Sequence, residues 1–213
     1  PVTINTSIES DIAIEVAKKI VKTKNVKDNL APSMGAEDFA YMLEKKPGAY
    51  IWLGAGEGKS GCMLHNSKYD FNDEIKNPNR SLGLVIKLMD KFIEKKQVDK
   101  ERIYVSGLSM GGMGTFSIIA ERPNMFAAAT PICGDGDPNN VISFAKKIPI
   151  WIFHGALDKT VLPTQSLKMA NAIMKAGGNP RVTIYENIDH NSWDVAFAEK
   201  DFLKWIHSKS KKK

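Results

Sequence analysis

A serine flanked by glycines, in the G-x-S-x-G motif centred on Ser109, has the sequence context of a nucleophile. It follows a β-branched and aromatic run, Ile103–Val105, which is typical of a buried strand, and it precedes apolar residues at helical spacing. A strand, a tight turn and a helix in this order hold the serine hydroxyl clear of the backbone. We expect Gly107 and Gly111 to be required because a Cβ at either position would collide with the neighbouring strand or helix. The N–H of Met110 would then point at an oxyanion formed beside the serine.

Two further polar residues each follow an apolar run that is typical of a strand. Asp158 comes after residues 149–153, and His190 comes after residues 182–185. The chain therefore offers a nucleophile, an acid and a base in that order, each just past the end of a predicted strand. Neutral His190 could take the proton of Ser109 as it attacks an acyl carbonyl, while Asp158 fixes the imidazole tautomer.

Other polar residues compete with Asp158 and His190 for these roles. The competing aspartates are Asp135, Asp137, Asp189 and Asp194. The first two lie in a GDGDPNN segment and are interpreted as turn-forming carboxylates, which rival Asp158 only weakly. The last two lie too close to His190 in sequence to orient its ring from across a sheet. His154 ends a predicted strand and is interpreted as structural, and His207 is interpreted as a surface residue.

From about Leu82 onward the sequence resembles the C-terminal half of an α/β-hydrolase esterase or predicted peptidase, of the polyhydroxybutyrate-depolymerase and feruloyl-esterase-like group. The matching stretches are DKERIYVSGLSMGGMGTF, FAAATPICGDGD, IPIWIFHGALDKTV and IDHNSWDVAF. The resemblance implies a serine esterase that needs no cofactor. Trp193, just after His190, is a candidate substrate-binding residue. Enzymes of this group normally carry four more strands and an HGAG-type oxyanion loop ahead of this region, and we expect both to be missing here.

The first 75 or so residues resemble a different family. PSMGAEDFAYMLEKKPGAYIWLGAGEG, followed by LHNSKYDFNDE, is similar to the C-terminal end of an M20-type metal-dependent amidohydrolase or aminoacylase. We therefore interpret the chain as a chimera, joined between Asp73 and Ser81. His65 stands where that family has a metal ligand, but zinc requires three or four ligands and the others are absent. No metal site is predicted.

The N-terminal segment also contains a candidate for the second oxyanion donor. WLGAGEG resembles the LHGAGE stretch that the esterase half lacks, with Leu53 in place of histidine. We expect the N–H of Ala55 to act as that donor beside Met110. This requires the predicted strand Ala49–Leu53 to pair in parallel with residues 102–106, which would also cover an exposed strand edge.

Alternating apolar β runs and helical patterns predict an α/β fold: a truncated, α/β-hydrolase-like, mostly parallel sheet of about five strands with helices on both faces. We expect a single domain over residues 1–213, in which the amidohydrolase-like segment 1–75 packs onto a hydrolase core 82–208. Residues 209–213 are predicted to be a disordered basic tail. Besides the helix after Ser109, helices are predicted over residues 8–22, 35–45, 81–96, 141–145, 164–176 and 194–208.

Composition narrows the class of partner. The 213 residues are 43% hydrophobic and 25% charged, as expected for a globular chain with a sizeable core. Much of the net charge of +6 comes from the terminal KSKKK, so no nucleic-acid partner is predicted. No stretch has the length of a membrane span and no signal-peptide pattern is present, which predicts a cytoplasmic protein. Since the chain does not begin with Met, we expect a trimmed N-terminus. Cys62 and Cys133 are predicted to be free thiols, and a homodimer is expected to bury the remaining sheet edge.

The leading hypothesis is a serine carboxylesterase that hydrolyses small or short-acyl esters through an acyl-enzyme on Ser109. The alternatives are a chimeric remnant that folds without activity and, less favoured, a metal-dependent amidohydrolase. Because the base must be neutral, we expect the rate to rise with pH through the neutral range and then level off. A chelator is expected to leave the rate unchanged.

Overall fold

The structure is a computed structural model, and it describes residues 1–31, 39–51, 79–94 and 98–212. The chain divides into two compact units, Pro1–Lys95 and Lys96–Lys213, where the sequence predicts a single domain. The boundary lies beyond the predicted join between Asp73 and Ser81. The packing of segment 1–75 onto the hydrolase core stays a prediction.

The N-terminal unit is helical in its described part. Its helices are α1 (Ser7–Val21), α2 (Phe39–Leu43) and α3 (Asn79–Glu94), with a 3₁₀ turn at Thr23–Asn25. Helix α1 packs against α3, and its apolar stripe buries Ala13 and Val16 while its lysines stay outside. The helices predicted over residues 8–22 and 81–96 are therefore confirmed to within about two residues. Part of the helix predicted over 35–45 lies outside the described residues.

The strand predicted over Ala49–Leu53 is wrong for residues 49–51, which the structure describes and which adopt no strand. The Tyr50 N–H donates to Asn5 Oδ1 at 2.7 Å, and the Tyr50 carbonyl accepts from Asn5 Nδ2 at 3.0 Å. An asparagine side chain thus satisfies the backbone groups that a neighbouring strand would otherwise use. Residues 52 and 53 lie outside the described ranges.

The C-terminal unit is built on a parallel sheet. Its strands, in spatial and sequence order, are β1 (Tyr104–Leu108), β2 (Ala128–Ile132), β3 (Trp151–Gly155) and β4 (Arg181–Tyr185). Strands β2 and β3 are buried along their whole length, which explains their continuous apolar sequences. The described sheet has four strands where the sequence predicts about five, and β1 lies at one edge. The homodimer expected to cover such an edge stays a prediction.

Helices cover both faces of this sheet, as predicted. Helix α4 (Met110–Glu121) packs on β1 and β2, and α5 (Pro163–Lys175) packs on β3. On the other face, α6 (Trp193–Phe197) and α7 (Phe202–His207) bury an aromatic cluster with β3. Since all the strands are parallel, their carboxyl ends meet at one edge of the sheet, and the loops that follow them are brought together.

Two of the predicted helices differ from those observed. The single helix predicted over 194–208 is broken into α6 and α7, and the break lets Phe197 and Phe202 meet edge to face at 5.5 Å, an arrangement that one continuous helix would prevent. The short helix predicted over 141–145 is a 3₁₀ helix at Pro138–Ser143. In the described ranges, no helix combines the length and the apolar character that crossing a membrane requires.

Residues 209–212 belong to the segment predicted as a disordered tail, and the structure gives them hydrogen bonds. Tyr104 donates its hydroxyl hydrogen to the Lys209 carbonyl at 2.9 Å, and the Lys211 N–H donates to the Glu101 carbonyl at 3.0 Å. Lys209 also lies over the ring of Trp205, 5.1 Å from its centroid. These contacts hold the described part of the tail against the start of β1.

Candidate active site

Ser109 occupies the sharp turn between β1 and α4. Its backbone has φ 54° and ψ −117°, a left-handed conformation that non-glycine residues rarely adopt. The Ser109 N–H donates to the Ile132 carbonyl at 2.9 Å, and the Ser109 carbonyl accepts from the Met113 N–H at 3.0 Å. One bond ties the turn to β2 and the other ties it to α4. The turn is therefore fixed from both sides, and it presents the serine side chain at the carboxyl edge of the sheet.

Only one of the two glycines of the G-x-S-x-G motif is required by close packing. A Cβ on Gly107 would lie 2.1 Å from the Gly111 carbonyl oxygen, far inside van der Waals contact. A Cβ on Gly111 would meet nothing within 4 Å, so the collision predicted for this residue is wrong. The difference arises because Gly107 lies beneath the first turn of α4, whereas the space around Gly111 is open.

Replacing Gly107 by alanine should lower the free energy of unfolding by about 3 kcal/mol, because two backbone segments must move apart to admit the methyl group. The melting temperature should fall by about 10 °C. Gly111→Ala is the matched control: it adds the same methyl group to the same turn, and its melting temperature should stay within about 3 °C of the parent. Equal losses in the two variants, measured by calorimetry, would contradict this account of the turn.

The structure brings Ser109, His190 and Asp158 into one hydrogen-bonded line. Ser109 Oγ lies 2.9 Å from His190 Nε2, and His190 Nδ1 lies 2.8 Å from Asp158 Oδ2. These residues follow β1, β4 and β3 respectively, so the parallel sheet accounts for their convergence. The His190 side chain is 24% exposed, and the Asp158 side chain is fully buried. The arrangement is that of a serine activated by a histidine whose orientation an acid fixes.

Four hydrogen-bond donors surround the buried carboxylate of Asp158. Oδ1 accepts from the backbone N–H groups of Thr160 at 2.8 Å and Val161 at 2.9 Å. Oδ2 accepts from His190 and also lies 3.1 Å from Nε2 of His154. Burial by itself would raise the pKa of Asp158, but the bonds from His190, Val161 and Thr160 outweigh it and hold the pKa below its usual range. The carboxylate is therefore ionised at neutral pH.

Sequence reasoning missed the thiol of Cys133 beside the nucleophile. Its Sγ lies 3.3 Å from the Ser109 backbone nitrogen, and the residue is fully buried with φ 40°. Burial raises the pKa of this thiol, so it is protonated at neutral pH. The available signal was its position directly after β2, matching the positions of the three predicted residues after their own strands.

Cys133, Asp158 and His190 also form the cluster of possible metal ligands in the described part of the chain, with ligand atoms within 4.8 Å of one another. Their chemistry fits hydrogen bonding better than metal binding. The carboxylate already receives four donors, and the thiol is protonated. His65, the ligand that the amidohydrolase resemblance suggests, lies outside the described residues.

Of the two predicted oxyanion donors, Met110 and Ala55, the structure describes Met110 alone. Met110 is the first residue of α4, where backbone N–H groups have no partner within the helix, and it is 52% exposed. Its N–H is thus positioned at the helix end that favours negative charge. Ala55 lies outside the described residues, so its role stays a prediction.

Trp193 begins α6 and contacts the catalytic candidate His190. The two rings meet edge to face, with centroids 5.6 Å apart and planes at 89°. The indole of Trp193 therefore packs against the imidazole of His190. The substrate-binding role predicted for Trp193 stays a prediction.

The competing aspartates make local contacts. Asp137 caps the 3₁₀ helix by accepting from the Asn139 N–H at 2.9 Å, and Asp135 accepts from the Gly136 N–H at 2.7 Å. These are the turn-forming roles that the sequence predicts. The two aspartates beside His190 both hydrogen-bond to Asn191.

Two family profiles match the chain. Residues 1–95 match the peptidase family M20/M25/M40, and residues 69–146 match the prolyl oligopeptidase family. The second match includes Ser109 and ends before Asp158 and His190. Together the matches fit a chimera, with an M20-like N-terminal part and an α/β-hydrolase C-terminal part, as predicted.

Curated relatives of two kinds are similar to parts of the chain. The chain is similar to hippurate hydrolase from Campylobacter jejuni, with 43% identity over 75 residues, which cover 35% of this chain and 19% of the relative. It is also similar to acyl-protein thioesterase 1 homolog 2 from Dictyostelium discoideum, with 25% identity over 171 residues, covering 78% of this chain and 77% of the relative. The chain thus spans about a fifth of the length of the hippurate hydrolase.

Among solved structures, a thermostable esterase superposes with a TM-score of 0.61 and 37% identity, covering 66% of this chain and 39% of that one. Together with the parallel sheet and the helices on both faces, this likeness confirms the predicted α/β-hydrolase-like fold. The neighbours support a serine hydrolase at the level of this superfamily.

Proposed function

We propose that the chain is a serine carboxylesterase that hydrolyses small or short-acyl esters through an acyl-enzyme on Ser109. The observation that carries this proposal is the continuous hydrogen-bonded line from Ser109 Oγ through His190 to Asp158, with links of 2.9 and 2.8 Å. Both distances are short enough for proton transfer and for orientation of the imidazole without rearrangement.

The reaction follows from the positions of these groups. Ser109 Oγ attacks the acyl carbon as His190 Nε2 takes its proton, and the carbonyl electron pair moves onto oxygen. Collapse of the tetrahedral adduct breaks the ester C–O bond, and the leaving alkoxide takes the proton from His190. A water molecule then attacks the acyl-enzyme with His190 again as base, which releases the acid and restores the serine. Asp158 stays ionised and stabilises the imidazolium in both steps.

The proposal favours esters over amides because of the oxyanion site. One donor, Met110 N–H, lies at the start of α4 in the described part of the chain. A single oxyanion donor contributes about 10²–10³ in rate. Esters have better leaving groups than amides and depend less on a second donor. The partial exposure of His190 and Met110 supports access by a small substrate.

Turnover of p-nitrophenyl acetate tests the proposal. We expect hydrolysis that a serine-directed organophosphate abolishes, with covalent labelling of Ser109 detected by mass spectrometry. Exhaustive chelation should leave the rate within about twofold, since the proposed steps use only protein groups.

Two other results would contradict the esterase proposal. Absence of turnover in a folded sample would select a non-catalytic remnant. Activity that was lost on chelation and restored by zinc would select the amidohydrolase alternative, in which case the organophosphate should have little effect.

A further inference from the structure

His154 lies within β3, and its ring approaches the same Asp158 carboxylate that contacts His190. We propose that His154 is a positioning residue for Asp158: its ring donates a hydrogen bond to the carboxylate oxygen that also holds His190. The inference rests on the proposed function, since it concerns the acid of the same site. It assigns to this histidine a role in tuning the base, in addition to a structural one.

The protonation of one ring nitrogen of His154 follows from its partners. Nε2 lies 3.1 Å from Asp158 Oδ2 and 2.8 Å from the Val161 carbonyl oxygen. A carboxylate and a carbonyl can only accept hydrogen bonds, so Nε2 must carry a hydrogen that the two oxygens share. The side chains of His154 and Asp158 are both fully buried, and water does not compete for this bond.

The second ring nitrogen of His154 is anchored as well. Nδ1 lies 2.7 Å from Ser166 Oγ on α5, and that oxygen lies 3.2 Å from the Gly134 carbonyl, which follows β2. Ser166 is fully buried. In the neutral ring with its hydrogen on Nε2, Nδ1 accepts the Ser166 hydroxyl hydrogen, and this bond fixes the plane of the imidazole. The donor to Asp158 is therefore held by three elements of the fold rather than by one rotamer.

The shared oxygen links His154 to the proposed base. Oδ2 of Asp158 accepts from His190 Nδ1 at 2.8 Å and from His154 Nε2 at 3.1 Å. Because both hydrogen bonds draw on the charge of one oxygen, each weakens the other. Without the His154 donor, more of the negative charge on Oδ2 would face His190. The protonated form of His190 would then be stabilised, and a higher pH would be needed to make it neutral.

In the described part of the chain, titratable side chains from three segments lie near the two histidines. His190 faces the carboxylate of Asp158, which lies in the loop after β3. It also faces the thiol of Cys133, which lies directly after β2 and is protonated. On its own segment, the carboxylates of Asp189 and Asp194 bond to Asn191. His154 faces Asp158 and the Ser166 hydroxyl.

A matched pair of amide substitutions separates the two nitrogens of His154. Glutamine at position 154 can place its N–H₂ near the position of Nε2 and keep the donor to Asp158. The shorter asparagine can reach Ser166 but not the carboxylate. The same substitutions at His207, an exposed helical residue outside the site, are the controls. Values of kcat/KM for p-nitrophenyl acetate are measured from about pH 5 to about pH 9.

In the plot of kcat/KM against pH, the rate rises as His190 loses its proton. We expect His154→Asn to move the midpoint of this rise upward by about one pH unit. The rate should therefore fall about tenfold at acidic pH and stay within about threefold of the parent on the alkaline plateau. His154→Gln should keep the midpoint of the parent within about 0.3 units. A uniform loss at every pH, with an unchanged midpoint in His154→Asn, would overturn the proposal and leave His154 a structural residue.

Nuclear magnetic resonance of the His190 ring protons measures the same midpoint without turnover. If the parent chain hydrolyses no ester, the proposed function fails, yet the shift of this midpoint in His154→Asn still decides the role of His154. Ser166→Ala is the third variant, and it loosens the ring without removing it. It should move the midpoint in the same direction by a smaller amount, and an unchanged midpoint in every folded variant contradicts the inference.

Discussion

Replacing Ser109 by alanine should lower kcat/KM for p-nitrophenyl acetate by about four orders of magnitude or more. The variant loses the hydroxyl oxygen that lies 2.9 Å from His190 Nε2 and that would attack the substrate. The fold should be unaffected, because the bonds that fix the turn come from the backbone of Ser109 and are retained. Circular dichroism and the melting temperature check this second expectation.

Ser106→Ala is the matched control for the loss of a serine hydroxyl. Ser106 lies on β1 just before the turn and donates its hydroxyl hydrogen to the Thr130 carbonyl at 3.1 Å. It takes no part in the proposed reaction, so the rate should stay within about twofold of the parent. If Ser109→Ala kept more than a few per cent of the parent rate while Ser106→Ala did not, the nucleophile would have to be reassigned.

Replacing Asp158 by asparagine should lower the rate by about three to four orders of magnitude. The amide oxygen can still accept from the N–H groups of Thr160 and Val161, which places the amide N–H₂ opposite the two histidines. Two donors would then face each other unless His190 adopts its other tautomer. In that tautomer Nε2 carries the hydrogen and cannot accept the proton of Ser109.

The double variant with asparagine at positions 135 and 137 is the control, since these carboxylates hold turns outside the triad. It should keep the rate within about threefold and leave stability nearly unchanged, because the amide oxygen of asparagine can still accept the bonds from Gly136 and Asn139. A large loss of rate in this double variant, together with an active Asp158→Asn, would reassign the acid.

Asp158 should also contribute to the acid sensitivity of the fold. Because its pKa is lower in the folded chain than its ordinary value, its contribution to stability is present above the unfolded value of about 3.9. That contribution is lost as the pH falls through the lower, folded value. The Asn variant lacks the titrating group, so unfolding curves at acidic pH should show a smaller loss of stability for it than for the parent.

The arrangement of the site could be predicted from the sequence because its residues follow apolar runs. Each of Ser109, Asp158 and His190 follows such a run, and parallel strands place their carboxyl ends at one edge. Local pattern and global topology agree here. Cys133 satisfies the same rule after β2, and it was missed because a single cysteine carries no motif of its own.

Other features depend on packing that no local pattern encodes. The apolar sequence of Ala49–Ile51 is typical of a strand, yet the side chain of Asn5, distant in sequence, takes the hydrogen bonds of Tyr50. The break between α6 and α7 arises because two phenylalanines both pack onto the β3 face. The different tolerance of Gly107 and Gly111 depends on which of them lies beneath the helix, a distinction of one turn that their shared motif hides.

The backbone conformation of Ser109 lowers the stability of the fold and at the same time presents the proposed nucleophile. The structure describes three non-glycine residues with positive φ, and two of them, Ser109 and Cys133, touch each other at the site. A side chain in such a conformation costs about 1–3 kcal/mol. A sequence selected for thermal stability alone would therefore place glycine at position 109. Attempts to stabilise this chain by consensus or library selection should be screened for hydrolysis at every round, because the proposed nucleophile is itself a residue with a strained backbone.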